Sequence, residues 1–280
     1  MSDLLTRAEL VKLARVLGTE PAALAFLGEH EHLELRELTD RVSNALFDEH
    51  RAALRRIADA SRLLPASLVA KMSELVFGPV LSARVAGLMP TDRAIEVASK
   101  LKTKFLADVT IQLDPRSASE LLARMPVQIV VDVARLLLQR GEFVTMGRFV
   151  DDLPDAAIRA VIENVPDDAA LVRIASYVER RERLIELIEL IPHARLQRSI
   201  AAVAAGPDDL QLSGLVMMSQ LSDRQQGRVG DIAIGLGAEA VQKLVAAASR
   251  LGASDVLRNV LRHLGPEGKA GLARIIPGFL

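Results

Sequence analysis

The chain has 280 residues and a formal net charge of −1, from 35 Lys and Arg against 36 Asp and Glu, so no global charge draws it to nucleic acid. It lacks cysteine, which excludes disulfides, thiolate metal sites and cysteine nucleophiles and fits a reducing cytosol. Half of its residues are apolar but only 3% are aromatic, with no Trp and a single Tyr, Tyr177; a mean hydropathy of +0.24 requires either thorough burial or an apolar surface kept for a partner or ligand.

The first residues, Met1 to Arg7, carry no apolar core of signal-peptide length. The longest charge-free runs, such as Leu210 to Ser222, reach about a dozen residues, whereas a span needs about 20. These features predict a cytoplasmic protein without a membrane span. Residues 7–17 read as a helix stopped at Gly18, and a second starts under Thr19 with Pro21 in its first turn. The stretch Leu10 to Gly18 resembles one helix and turn of phage-repressor-type DNA-binding domains. The next segment, Ala22-Ala23-Leu24-Ala25-Phe26-Leu27, lacks the polar groups of a recognition helix, so a plain helical hairpin is expected.

From Leu33 to Leu63 the stripe of Leu35, Leu38, Val42, Leu46, Leu54 and Ile57 predicts one long helix. Arg51, Arg55, Arg56 and Arg62 cluster on it, balanced upstream by Glu31, Glu34, Glu37 and Asp40. A solvated face accounts for them, with a phosphate-binding surface as the alternative.

An array of short helices opens at Leu64-Pro65, and its centre repeats. Ala118, Leu121, Leu122 and Met125, closed by Pro126, are matched 40 residues on by Ile158, Val161, Ile162 and Val165, closed by Pro166. Each set recurs at i, i+3, i+4, i+7, which places one apolar stripe on a short helix. A second segment continues in the same phase, with Val130, Val133, Ala134 and Leu137 answering to Leu171, Ile174, Ala175 and Val178. The third matches Phe143, Met146, Gly147 and Val150 to Leu184, Leu187, Ile188 and Ile191. A degraded unit runs on through Leu196, Ile200 and Val203 to Leu212, Leu215 and Val216. Pro115, Pro126, Pro154, Pro166 and Pro192 read as helix starts. A period near 40 residues belongs to HEAT and armadillo arrays, whose helices bury their stripes only by stacking.

The segments Leu113 to Leu122 and Leu153 to Ile158 resemble the cytoplasmic N-terminal superhelix of MgtE-type magnesium transporters. That resemblance, over residues 88–205, implies a right-handed solenoid, and through the family it implies magnesium sensing by acidic surfaces. No functional residue carries over, because the family's nucleotide-binding-like module and channel have no room here. The expected fold is an all-α superhelix of short stacked helices with an N-terminal hairpin and long helix. Residues 1–63 form the N-terminal segment, and 64–280 the solenoid, as one continuous structural unit.

Three motifs invite a chemical reading. Glu29-His30-Glu31-His32, with His50 nearby, has ligand-type side chains, but His30 and His32 are two apart and Glu-x-x-His occurs once where a di-iron bundle needs two. A polar inter-helix loop is the simpler expectation. Ile232 to Ala240 outlines G-x-G-x-x-A before a helix, yet a parallel sheet has no room around it, so a helix end is expected. The acidic pairs Asp151-Asp152, Asp167-Asp168 and Asp208-Asp209 suit the positive ends of helices. No catalytic, cofactor or metal site is assigned, and the chain is read as a non-enzyme.

Two functions remain open. The first is a scaffold whose helical-repeat surface binds a protein partner or a second copy. The second is a carrier or sensor of a hydrophobic small molecule or lipid between helix layers, with Phe143, Met146 and Phe149 on one helix and Met217-Met218 in an uncharged run as candidate contacts. Divalent-cation sensing rests on the resemblance alone.

Overall fold

The computed structural model describes residues 2–48 and 51–275. Among these the fold is all-α, with nineteen α-helices, short 3-10 and π segments, and no strand. The helices are α1 (Ser2–Leu17), α2 (His32–Asp48), α3 (Arg51–Ala60), α4 (Ala66–Met72), α5 (Gly78–Ala86), α6 (Thr91–Ala98) and α7 (Thr103–Gln112). The central ones are α8 (Pro115–Arg124), α9 (Val127–Gln139), α10 (Phe143–Phe149), α11 (Asp155–Asn164), α12 (Asp168–Ala175) and α13 (Arg181–Leu190). The rest are α14 (His193–Ala205), α15 (Asp208–Gln220), α16 (Asp223–Gly235), α17 (Ala238–Arg250), α18 (Ser254–Arg262) and α19 (Pro266–Ile275).

Prolines start these helices as expected, most often one residue earlier than the first turn. Pro65, Pro90, Pro126, Pro154, Pro192 and Pro207 are N-caps of α4, α6, α9, α11, α14 and α15. The fixed φ of proline suits a cap with extended ψ, and its missing N–H is one the helix would leave unpaired anyway. Pro115 instead occupies the first turn of α8, under Asp114, whose carboxylate accepts from the Arg116 N–H. Asp167 caps α12 by accepting from the Ala169 and Ala170 N–H groups. Ser222 and Gln225 cap α16 reciprocally.

One expectation is corrected: the segment after Gly18 is a 3-10 helix, Pro21–Leu27, capped by Glu20 rather than Thr19 and burying only Leu24. Helix is described on both sides of residues 49 and 50 in the stretch expected as one long helix over 33–63, as α2 and α3, and a 3-10 turn at Ser61–Leu63 follows. His50 and the final Pro277 to Leu280 lie outside the described residues, as does the side chain of Leu46. The run Ile232-Ala233-Ile234 is helix, and Gly237, at φ 100°, caps α17. The dinucleotide outline is thus a helix junction.

Contacts group the chain into two compact units, one of residues 1–36 with 166–280 and the other of 37–165. In the second unit each helix packs on the next but one. α3, α5, α7, α9 and α11 form one row and α4, α6, α8 and α10 the other. Polar ties keep the same step: Arg140 to Asp108 at 2.6 Å, Arg135 to Asn164 at 2.6 Å, and Arg124 to Asp92, pairs 29 to 32 residues apart. Leu121 and Leu122 of α8 meet Ala94, Ala118 and Phe149 in a buried cluster.

The first unit adds a longer step. α12, α14, α16 and α18 pack as a row, and α12 also meets α15, α14 meets α17, and α16 meets α19. Here the period of about 40 becomes visible in side chains. Gln225 donates to the Ile185 carbonyl, Arg228 pairs with Glu189 at 2.9 Å, and Arg250 pairs with Asp208 at 2.6 Å, across 39 to 42 residues. Close helix approach in this unit depends on glycine. A Cβ on Gly227 of α16 would lie 2.0 Å from the His263 carbonyl oxygen just beyond α18. Backbone cannot yield as a flexible side chain does, so Gly227→Ala is expected to cost about 1–3 kcal/mol, the range for overpacking, read as a lowered midpoint in urea.

One contact had no signal in the sequence. α1 docks on the C-terminal helices of the first unit, where Leu4 joins Val216, Ala248, Ala253 and Val256 in one core cluster. Further along α1, Leu10, Leu13 and Ala14 bury against Leu24 and Leu35. Between these apolar positions Glu9 and Lys12 are buried, and two partly exposed partners complete a charged cluster. Lys12, 3% exposed, sits 3.1 Å from the Glu9 carboxylate and 3.9 Å from that of Glu179. Arg36 donates to Glu9 at 2.8 Å and to the Glu179 carbonyl at 3.3 Å. Two cations thus face two carboxylates.

Candidate functional site

The first unit contains a partly open cavity of about 150 Å³ lined by residues of α12 to α19. Its origin can be read helix by helix. α14 presents Leu196, Ser199, Ile200 and Val203 at i, i+3, i+4, i+7, all buried. The facing helices bring small residues: Gly214 on α15, Gly230 and Ala233 on α16, Ala247 and Ala248 on α17. Gly214 and Gly230 sit where helices cross closely. A Cβ on Gly214 would approach Val203 to 2.9 Å, and one on Gly230 would approach Val260 to 2.6 Å and Leu264 to 2.7 Å. Between these crossings the short side chains do not reach across, and the gap stays open.

The lining is aliphatic and Met-containing, with Ser199 and Gln211 as its two polar side chains. The Ser199 hydroxyl is buried without a hydrogen-bond partner. Gln211 accepts from Arg250 at 2.7 Å, and Arg250 also holds Asp208. Nearby polar ties neutralise the acidic pairs. Asp168 takes Arg195 at 2.9 Å and Arg198 at 2.7 Å, and Asp209 takes Arg173 at 2.6 Å. The hydrogen bond from Arg173 holds the Asp209 carboxyl below its usual range. Its contribution to folding is therefore complete above the ordinary aspartate range and fades as pH falls through the lowered value. Burial raises the Tyr177 hydroxyl, on the loop after α12.

The candidate contacts separate. Met217 is buried and Met218 half-buried, and both line the cavity. Phe143, Met146 and Phe149 belong to α10 in the second unit, and none is among the residues that line it. Phe149 instead packs with Leu121 and Leu122. The two groups carry the same signal, apolar and sulfur-bearing side chains at helical spacing. Only the facing small residues distinguish chamber from core. Ser199 and Gln211 were missed, although a serine at the centre of the Leu196-Ile200-Val203 stripe is a polar interruption that could have been noticed.

Glu29 to Glu31 form an exposed turn leading into α2, with His30 Nδ1 3.3 Å from the Glu34 carboxylate, while His32, the first residue of α2, is half-buried with its Nδ1 unpartnered. Among the described residues no group of three or more His, Asp or Glu is placed to hold a metal ion. A scan against protein-family models finds no match to the chain, and comparisons with curated proteins and with solved structures find none either.

Proposed function

We propose that the protein is a binding protein that takes up a small apolar molecule in the chamber between α12 and α19. The observation that supports this reading is the aliphatic cavity itself. Its walls are aliphatic, so an apolar guest gains contacts there, and an oxygen on it satisfies the unpartnered Ser199 hydroxyl. A volume near 150 Å³ suits a small aromatic or a short acyl group. Met217 and Met218 give the wall adaptable side chains. The scaffold expectation rests instead on the helical-repeat surface, which a protein partner or a second copy would cover. Magnesium sensing, implied by the resemblance to MgtE-type transporters, gains no support from acidic pairs whose Asp168, Asp208 and Asp209 are engaged by arginines.

Indole is a suitable probe. Wild type is expected to bind it saturably in titration calorimetry and to melt at a higher temperature in its presence. Ser199→Leu, which fills the chamber and removes the unpartnered hydroxyl, should abolish binding while leaving the unliganded protein at least as stable. Equal uptake by the variant, or no saturable uptake by wild type, would overturn the reading.

A further inference from the structure

The second unit leaves aliphatic side chains in water at the start of its two helix rows. Leu63 is 87% exposed, Leu75 and Val76 73% each, and Val80 51%, with Leu64 and Leu68 also exposed. Their placement results from helix phase. On α4 and the π segment after it, Ala66, Val69, Ala70 and Ser73 face inward, so Leu68, Lys71, Leu75 and Val76 face outward. Terminal elements of a helix stack ordinarily turn a polar face outward, and this one does the reverse.

By length and composition the run Ala66–Ala86 could cross a membrane. It is longer than the charge-free runs of the sequence because it includes Lys71, Glu74 and Arg84. Two features argue against a span. Gly78, at φ 69°, next to Pro79, which has no N–H to donate, interrupts the run. Val69, Ala70, Ala83 and Val85 are already buried inside the unit. The outward residues are thus a one-sided apolar face on a protein-packed helix, the arrangement of an element that lies on a bilayer.

The charge around this face selects the partner. Arg62 adjoins Leu63, and Lys71 stands between Leu68 and Leu75; both are exposed. Lys102, 83% exposed, sits 3.5 Å from Glu74 on the π segment, and exposed Lys100 and Lys104 flank it in sequence. Glu74 is the one acidic residue between Ala60 and Thr91, and Lys102 occupies it. An aliphatic surface flanked by cations matches the boundary between acyl chains and anionic headgroups.

We propose that the aliphatic face of residues 63–80 seats on the surface of an anionic bilayer, with Leu68, Leu75, Val76 and Val80 entering the acyl boundary and Arg62 and Lys71 meeting headgroups. The test is flotation of the full-length chain with vesicles of phosphatidylcholine alone and of phosphatidylcholine with phosphatidylglycerol. Wild type should float with the anionic vesicles at least ten-fold more than with the neutral ones, less so as salt is raised. Leu75→Glu with Val76→Glu should lose that binding, and Arg62→Glu with Lys71→Glu should lose the preference for phosphatidylglycerol. All four side chains are exposed, so each variant should melt as wild type does, checked by circular dichroism. Absence of wild-type flotation, or flotation unchanged in either variant, would overturn the proposal. So would a dimer in sedimentation velocity that Leu75→Glu with Val76→Glu dissolves without any effect on vesicles, since the face would then serve a second copy.

Discussion

Replacing Glu9 by Ala is expected to destabilise the protein by about 3–5 kcal/mol, the cost of leaving a buried charge without its partner. Lys12 is 3% exposed, and its ammonium would keep only the Glu179 carboxylate, at 3.9 Å, a poor geometry for a hydrogen bond. Arg36 would lose the Oε1 that accepts from both its Nε and Nη2, but it is one-third exposed and can turn to water. Lys12→Met should cost less, because Glu9 would still hold Arg36. The double change Glu9→Leu with Lys12→Met should recover most of the loss, since a buried pair replaced by apolar groups of similar size is often close to neutral. Urea unfolding of the three variants separates these outcomes, and a Glu9→Ala variant as stable as wild type would show that the cluster is hydrated.

The second large effect concerns Leu122 and Ile162. They occupy matching positions on α8 and α11, and each is 8% exposed. Leu122 packs against Leu121, Ala118, Ala94 and Phe149, and truncation to Ala leaves a hole that neighbouring helices held by their own polar ties cannot collapse to fill. Either Ala variant should lose about 2–5 kcal/mol, the sum of lost transfer energy and cavity cost. The measurement is the shift in urea midpoint at unchanged slope. Midpoints within error of wild type for both would dissociate the repeat from the packing.

The repeat was legible because a short helix has one way to bury a stripe. Ala118-Leu121-Leu122 and Ile158-Ile162 announce both the helix and the face it hides. What each face meets was not legible. The period of 40 reads as a stack of like on like, yet in the second unit α9 packs on α7 and α11, a step of two helices. Which neighbour wins depends on residues far apart in sequence, such as Asp108 with Arg140. The cavity was half-legible for the same reason. Met217-Met218 stood out in an uncharged run, but the void beside them depends on short side chains such as Ala233 and Ala247 on other helices. Phe143, Met146 and Phe149 carried the same signal without that complement. Glu9 and Lys12 stand at i, i+3 among Leu10, Leu13 and Ala14, a spacing that could have been noticed because two charges on an apolar face need partners. Arg36 and Glu179 could only be supplied by the fold.

The docking of α1 on α15, α17 and α18 has a consequence for how the chain is made. Leu4 finds Val216 and Val256 only after more than two hundred intervening residues have been synthesised. At roughly 5–20 residues per second, the first helix leaves the ribosome some 10–40 s before its cluster partners exist. Residues 37–165 face no such delay, because each helix there meets its neighbour within about 30 residues of chain. Leu4 and the apolar positions beside it on α1 are therefore a surface that stays uncovered until α15 to α18 have been made, long after the rest of that helix has met Leu24, Leu35 and Arg36.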